Sequence, residues 1–200
     1  MKNLNIISAA VISVIMLATS AFAQDFLKGF EAYDAGDYAT ALQEFRPLAE
    51  QGNAEAQAWL GWMYDKGQGV PQDYAEAVKW YRLAAEQGHA KAQNNLGNMY
   101  GTGRGVPQDY AEAVRLSQLA AEQGNADAQG NLAVMYYNGQ GVPQDNVLAH
   151  MWANLGAANG SEIAAEGRDF VAKKMTPQAI EQAQKMASEC MSNDYKNCGY

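Results

Sequence analysis

The chain is 200 residues long and 48% hydrophobic, with 14 Lys and Arg against 22 Asp and Glu and a formal charge of −8. Affinity for DNA or RNA comes mostly from Lys and Arg displacing counterions, so an acidic chain without a basic cluster excludes nucleic acid as a partner. The same balance disfavours anionic lipid surfaces.

Residues 1–23 read as a cleavable export signal. Lys2 gives the positive start, Ile6 to Leu17 form an apolar run broken only by small residues, and Ala21-Phe22-Ala23 puts small side chains at the two recognition positions before a cut. Cleavage after Ala23 is expected, releasing a periplasmic or secreted protein with no membrane insertion. The removed segment holds one Lys and no acid, which leaves a charge of −9. The competing reading is an uncleaved anchor, since Ile6 to Ala23 has about the minimum length that spans a bilayer.

From Val70 the sequence repeats. Val70 to Gly105 and Val106 to Gly141 are identical at 24 of 36 positions, and the punctuation extends further. Asp37, Asp73, Asp109 and Asp145 are spaced by 36, as are Gly52, Gly88, Gly124 and Gly160. Such a period means stacked units, with divergent ends acting as caps. Within a unit, Asp73 with Glu76 and Asp109 with Glu112 have the spacing of a capping box, which starts a helix. The apolar positions Tyr74, Ala77, Val78, Tyr81 and Ala84 then recur at three and four, and Gly88 ends the run. A second helix covers AEAQAWLGWMY, AKAQNNLGNMY or ADAQGNLAVMY, with Leu60 and Tyr64 and their counterparts on its inner side. Gly61 and Gly97 inside these helices, with Ala133 in the third unit, point to a close helix–helix approach. Gly67-Gln68-Gly69-Val70-Pro71 and its two copies are turns.

These strings resemble the Sel-one-like repeat, a relative of the tetratricopeptide repeat with a longer turn. The resemblance implies an all-α, right-handed α-α superhelical solenoid of stacked antiparallel helix pairs, about nine to ten helices in all. It assigns residues 53–160 to three repeats (53–88, 89–124 and 125–160). Residues 24–52 become an N-terminal capping pair, because Tyr33 to Pro47 is similar to a tetratricopeptide helix. Residues 161–200 become closing helices, starting at Ser161 and Thr176-Pro177, and a tail with cysteines.

Chemistry is sparse. His89 replaces Asn53 and Asn125 at a helix start and reads as a variable cap, His150 as an exposed or half-buried helix residue, and neither has a second ligand nearby, so no metal site is expected. The GTGRG at Gly101 to Gly105 lacks the strand and the GK[ST] of a phosphate loop, and no nucleophile motif occurs. No cofactor and no catalytic residue are expected. Some cysteine-rich relatives have been regarded as β-lactamase-like, but they carry a cysteine pair in nearly every unit and this chain carries none there. In an oxidising compartment Cys190 and Cys198 are expected to form an intramolecular disulfide; free or intermolecularly paired thiols are the other reading.

The resemblance implies a non-enzymatic scaffold binding a protein or peptide on its concave face, and a monomer is expected; a secreted effector acting on host proteins is the alternative address. In tetratricopeptide arrays the first helix of each pair lines that face. Carried over by position, the face comprises Trp62, Asn98 and Val134, with Ala58, Asn94 and Gly130 one turn before. One turn after come Asp65 and Lys66, Gly101 and Thr102, and Tyr137 and Asn138. These positions differ from unit to unit while Leu, Tyr and Gln recur, as a face meeting an irregular ligand would. Trp62 and Tyr137 are the candidate anchors; packing between units is their other reading.

Overall fold

A computed structural model describes residues 25–196 and residue 198; the expected leader lies outside this range. Ten helices and no strand occur among the described residues. They are α1 (25–34), α2 (Tyr38–Glu50), α3 (Ala54–Lys66), α4 (Tyr74–Glu86), α5 (Ala90–Thr102), α6 (Tyr110–Ala121), α7 (Ala126–Asn138), α8 (Asn146–Ala158), α9 (Glu162–Ala172) and α10 (Pro177–Ser192). The fold is an all-helical solenoid in which α3 packs on α4, α5 on α6 and α7 on α8, with α10 folded back onto α8. Among the described residues no helix is long and apolar enough to cross a membrane.

The junctions between pairs are uniform because one residue does two jobs. Asn53, His89, Asn125 and Ser161 each donate their backbone N–H to a carbonyl of the helix just ended, at 2.9–3.1 Å. Each then caps the next helix through its side chain, Asn53 accepting from Ala56, His89 from Ala92, Asn125 from Ala128 and Ser161 from Ala164. The glycine before each junction has positive φ, +87° at Gly88, as this kind of helix end requires.

The capping boxes form by half. Asp73 accepts from the amides of Ala75 and Glu76, and Asp109 from that of Glu112. The glutamates do not reach back, because the Asp73 and Asp109 amides already donate to the carbonyls of Tyr64 and Tyr100. Glu76 pairs with Lys79 and Glu112 with Arg115 instead.

Between units runs a buried amide ladder. Gln57, Gln93 and Gln129 donate to the carbonyls of Ala49, Ala85 and Ala121 in the preceding helix, at 3.0–3.2 Å. Each also accepts from the end of the second helix of its own unit, from Gln87, Gln123 and Asn159 at 2.8–2.9 Å. Tyr195 tops the ladder by donating to Asn159 at 2.9 Å. Cys190 and Cys198 are joined sulfur to sulfur with Cα atoms 5.1 Å apart, which ties the tail to α10 beside that contact.

Gly61 lies against the ring of Tyr81: a Cβ there would come within 2.5 Å of it. In the next unit Gly97 faces the smaller Ser117, and in the third Ala133 takes the place of glycine where Ala153 stands in the register of Tyr81. In the first of these pairs the glycine of one helix thus makes room for the tyrosine ring of the other.

His150 departs from the sequence reading. It is 2% exposed, and its Nδ1 has no hydrogen-bond partner among the described residues. The reason is the place of α8, which is covered by α7, α9 and α10 and so has no solvent face left for His150. Burial, and then the Arg168 charge, hold its imidazole below the ordinary histidine range, against a smaller pull from Asp169.

Two measurements follow. Gly61→Ala should cost about 1–3 kcal/mol by overlap with Tyr81, whereas in a Tyr81→Ala background it should be neutral or gain up to about 1 kcal/mol of helix propensity; urea denaturation of the double-mutant cycle reads the change of sign. Because the unfolded chain takes up a proton at His150 that the folded chain resists, stability should fall as pH drops below the ordinary histidine value of about 6.5. Urea midpoints taken from pH 7.5 to 5.5 should therefore slope less in His150→Gln than in the wild type.

Candidate functional site

The first helix of each pair presents residues at a fixed register, and α1 closes one end. The turn at residues 35–37 packs α1 back against α3, so that Tyr33 meets Trp59 with ring centroids 4.6 Å apart. Phe30 meets Trp59 edge-on at 5.6 Å, and Phe45 stacks on it at 5.8 Å. Trp62 donates its indole N–H to the Tyr33 hydroxyl at 2.7 Å, and Tyr33 in turn donates to Gln68 at 2.7 Å. Lys66 covers the Trp62 ring, its Nζ 4.6 Å from the centroid.

Tyr33, Trp59 and Trp62 form one wall of a cavity of about 430 Å³. Its other walls are Glu55 and Ala58 of α3, the cap His89 with Lys91, Asn94 and Asn95 of α5, and Asn125 with Asp127 at the start of α7. His89 accepts an amide at Nδ1, so its proton sits on Nε2, which donates to Glu55 at 2.8 Å. Asn94 is buried and accepts from Asn131 at 2.8 Å. The surface is thus aromatic at one end and lined with amides and both signs of charge beyond it, suited to holding a chain of mixed character. Among the described residues no group of three or more His, Cys, Asp or Glu could hold a metal ion.

A second, smaller groove of about 100 Å³ lies between α7 and α9 and contains Gly130, Val134, Tyr137 and Phe170. Lys174 donates to the Tyr137 hydroxyl at 2.6 Å and lies 4.9 Å from the centroid of the Phe170 ring.

The residues expected on the binding face therefore separate. Ala58, Trp62 and Asn94 meet in the larger cavity, and Val134 and Tyr137 in the smaller groove. Asn98 is half-buried and its carbonyl accepts from the Thr102 hydroxyl, while Thr102 and Asn138 are exposed; none of the three lines either space. Asp65 is buried, paired with its neighbour Lys66 at 3.1 Å and with Arg104 of the next unit at 3.6 Å. It joins two repeats, with Arg104 also near the Tyr74 ring.

Four polar lining residues, Glu55, Lys91, Asn95 and Asp127, escaped the sequence reading, as did Tyr33 and Trp59. The signal for most of them was present. Residues 55, 91 and 127 share one register and read Glu, Lys and Asp, and residues 59, 95 and 131 read Trp, Asn and Asn.

A family model described as Sel1 repeat matches residues 54–89, 90–125 and 126–161. The chain belongs to the Sel1 repeat family. A solved Sel1 repeat protein from Oxalobacter formigenes is similar over 84% of this chain and 74% of its own, at 30% identity and a TM-score of 0.65. A protective antigen present in uropathogenic Escherichia coli strains, displaying the same repeat fold, is similar at 28% identity and a TM-score of 0.61. That likeness covers 87% of this chain but 47% of the antigen, so the chain spans about half the antigen's length. No curated protein matches in sequence. Sel1 repeat proteins are generally non-catalytic helical scaffolds for protein interaction.

In this Sel1 protein Trp62 both lines the cavity and fastens α1. Trp62→Phe should keep the helical circular dichroism and lose about 1 kcal/mol of stability with the indole hydrogen bond. Hydrogen exchange should show the loss concentrated in the amides of α1, where Tyr33 loses its donor.

Proposed function

We propose that the protein is a scaffold outside the cytoplasm that holds a segment of a partner protein in the cavity between α1, α3 and α5. One observation carries this: on the first helices of the pairs, the leucines and glutamines that recur are buried in the stack, and several positions that differ line the cavity. Leu60, Leu96 and Leu132 and the three ladder glutamines recur and are buried. Glu55, Lys91 and Asp127 occupy one register, differ in charge and face the opening. Stacking demands sameness; an irregular occupant permits difference. The first helices of the pairs supply this surface, which supports reading it as the concave face.

Export is part of the proposal. The signal-like features of residues 1–23 support it, and so does the Cys190–Cys198 pair, since disulfides persist in oxidising compartments. The similarity to a protective antigen favours a second address, in which the partner belongs to another cell. In both cases the protein acts as a monomer presenting one trough.

The test begins with a partner recovered from envelope or medium extracts on immobilised protein, then titrated by calorimetry. Replacing Trp59 by Ala should weaken binding by about 2 kcal/mol, the size of an aromatic anchor. The exposed Lys91→Glu should weaken or strengthen it according to the partner's charge while the circular dichroism stays unchanged. Equal affinity for wild type and both variants would remove the cavity from the binding site.

A further inference from the structure

The small groove between α7 and α9 continues the register of the binding face into a fourth unit. Phe170 stands 36 residues after Val134 and 108 after Trp62, and Ile163 stands where Glu55, Lys91 and Asp127 stand. Yet its character is different. Its walls are Val134, Tyr137, Ile163 and Phe170, and its floor includes Ala133 and Gly167. Ile163 is 81% exposed, Val134 53% and Phe170 50%, although polar residues fill the earlier copies of Ile163.

Two features indicate what covers it. Gly167 sits inside α9, where glycine costs about 1 kcal/mol relative to alanine, and a Cβ there would meet nothing within 4 Å. No neighbour among the described residues requires the missing side chain, so the open space is left for a partner. At one end Lys174 is held by its hydrogen bond to the Tyr137 hydroxyl, 4.9 Å from the centroid of the Phe170 ring, and no carboxylate among the described residues lies within ion-pairing distance of it. In a chain with 22 acids and 14 bases, an ammonium fixed beside an apolar groove and left without an acid is a complementary mark for an incoming carboxylate.

The geometry points to a docking groove for a partner segment in which one branched aliphatic side chain is followed by an acidic residue. Volume selects the occupant. An apolar cavity of about 150 Å³ holds one benzene, so a groove of about 100 Å³ matches a single aliphatic side chain such as leucine or isoleucine. The aliphatic group fills the space over Gly167 between Ile163 and Phe170, and the carboxylate meets Lys174 at the rim. The groove stands apart from the aromatic cavity at the other end, and its occupancy does not require that cavity to be filled.

Methyl NMR of the full protein tests this with three capped peptides, Gly-Leu-Asp-Gly, Gly-Leu-Asn-Gly and Gly-Leu-Lys-Gly. The Asp peptide should shift the Val134 and Ile163 methyl signals saturably, with the Asn peptide roughly threefold weaker and the Lys peptide weaker still, as a partly exposed ion pair implies. Lys174→Glu should reverse the order of the Asp and Lys peptides, and Val134→Glu should abolish the shifts. Trp59→Ala should leave them unchanged, so that failure here is separate from failure of the aromatic cavity. Equal shifts from all three peptides, no saturable shift, or an order unaltered by Lys174→Glu would overturn the proposal.

Discussion

A buried glutamine in every unit sets the register of this solenoid. The faces that meet between helix pairs are rich in alanine, and small apolar side chains alone would let one pair slide on the next at little cost. An amide cannot slide. Once Gln57, Gln93 or Gln129 is taken out of water, its donor and acceptor must find partners, and an orphaned one costs about 1–3 kcal/mol. The donor finds the carbonyl at the end of the preceding unit's last helix, and the acceptor finds Gln87, Gln123 or Asn159 at the end of its own unit's second helix. Hydrophobic burial stabilises the stack, and the amides decide where each layer stops.

On that rigid frame the first helices can vary freely where they face outward. The same three helices contribute Leu60, Leu96 and Leu132 inward and Trp62, Asn98 and Val134 on another side. The ends of the array are treated differently from its middle. At the start α1 supplies Tyr33 and an aromatic cluster, and at the finish α9 supplies Ile163 and Phe170. Amides occupy the stretch between, where Asn131 donates to Asn94.

The fold was legible in the sequence because its determinants are local and repeated: caps, turn glycines and the 36-residue period each depend on residues near in the chain. The volume exchange of Gly61 with Tyr81 was legible as a close approach, though its partner was not, since that requires knowing which helix faces which. Asp65 was misplaced for a related reason. Its partner Arg104 comes from the turn of the next unit, and nothing local distinguishes a groove carboxylate from one buried in a joint. Tyr33 lies before the repeats, so no register pointed to it. His150 showed no sign of burial because α10, which covers α8, returns from beyond the periodic region.

Each rung of the amide ladder has the same form as the last, and only Asn159 with Tyr195 marks the top. The joint therefore carries no information about how many units precede it. A duplication of residues 89–124 would present the same donor and acceptor at the new seam, leaving the termini intact and lengthening the exposed trough by one step. Evolution can thus alter the reach of such a protein by copying a segment, without inventing a new interface.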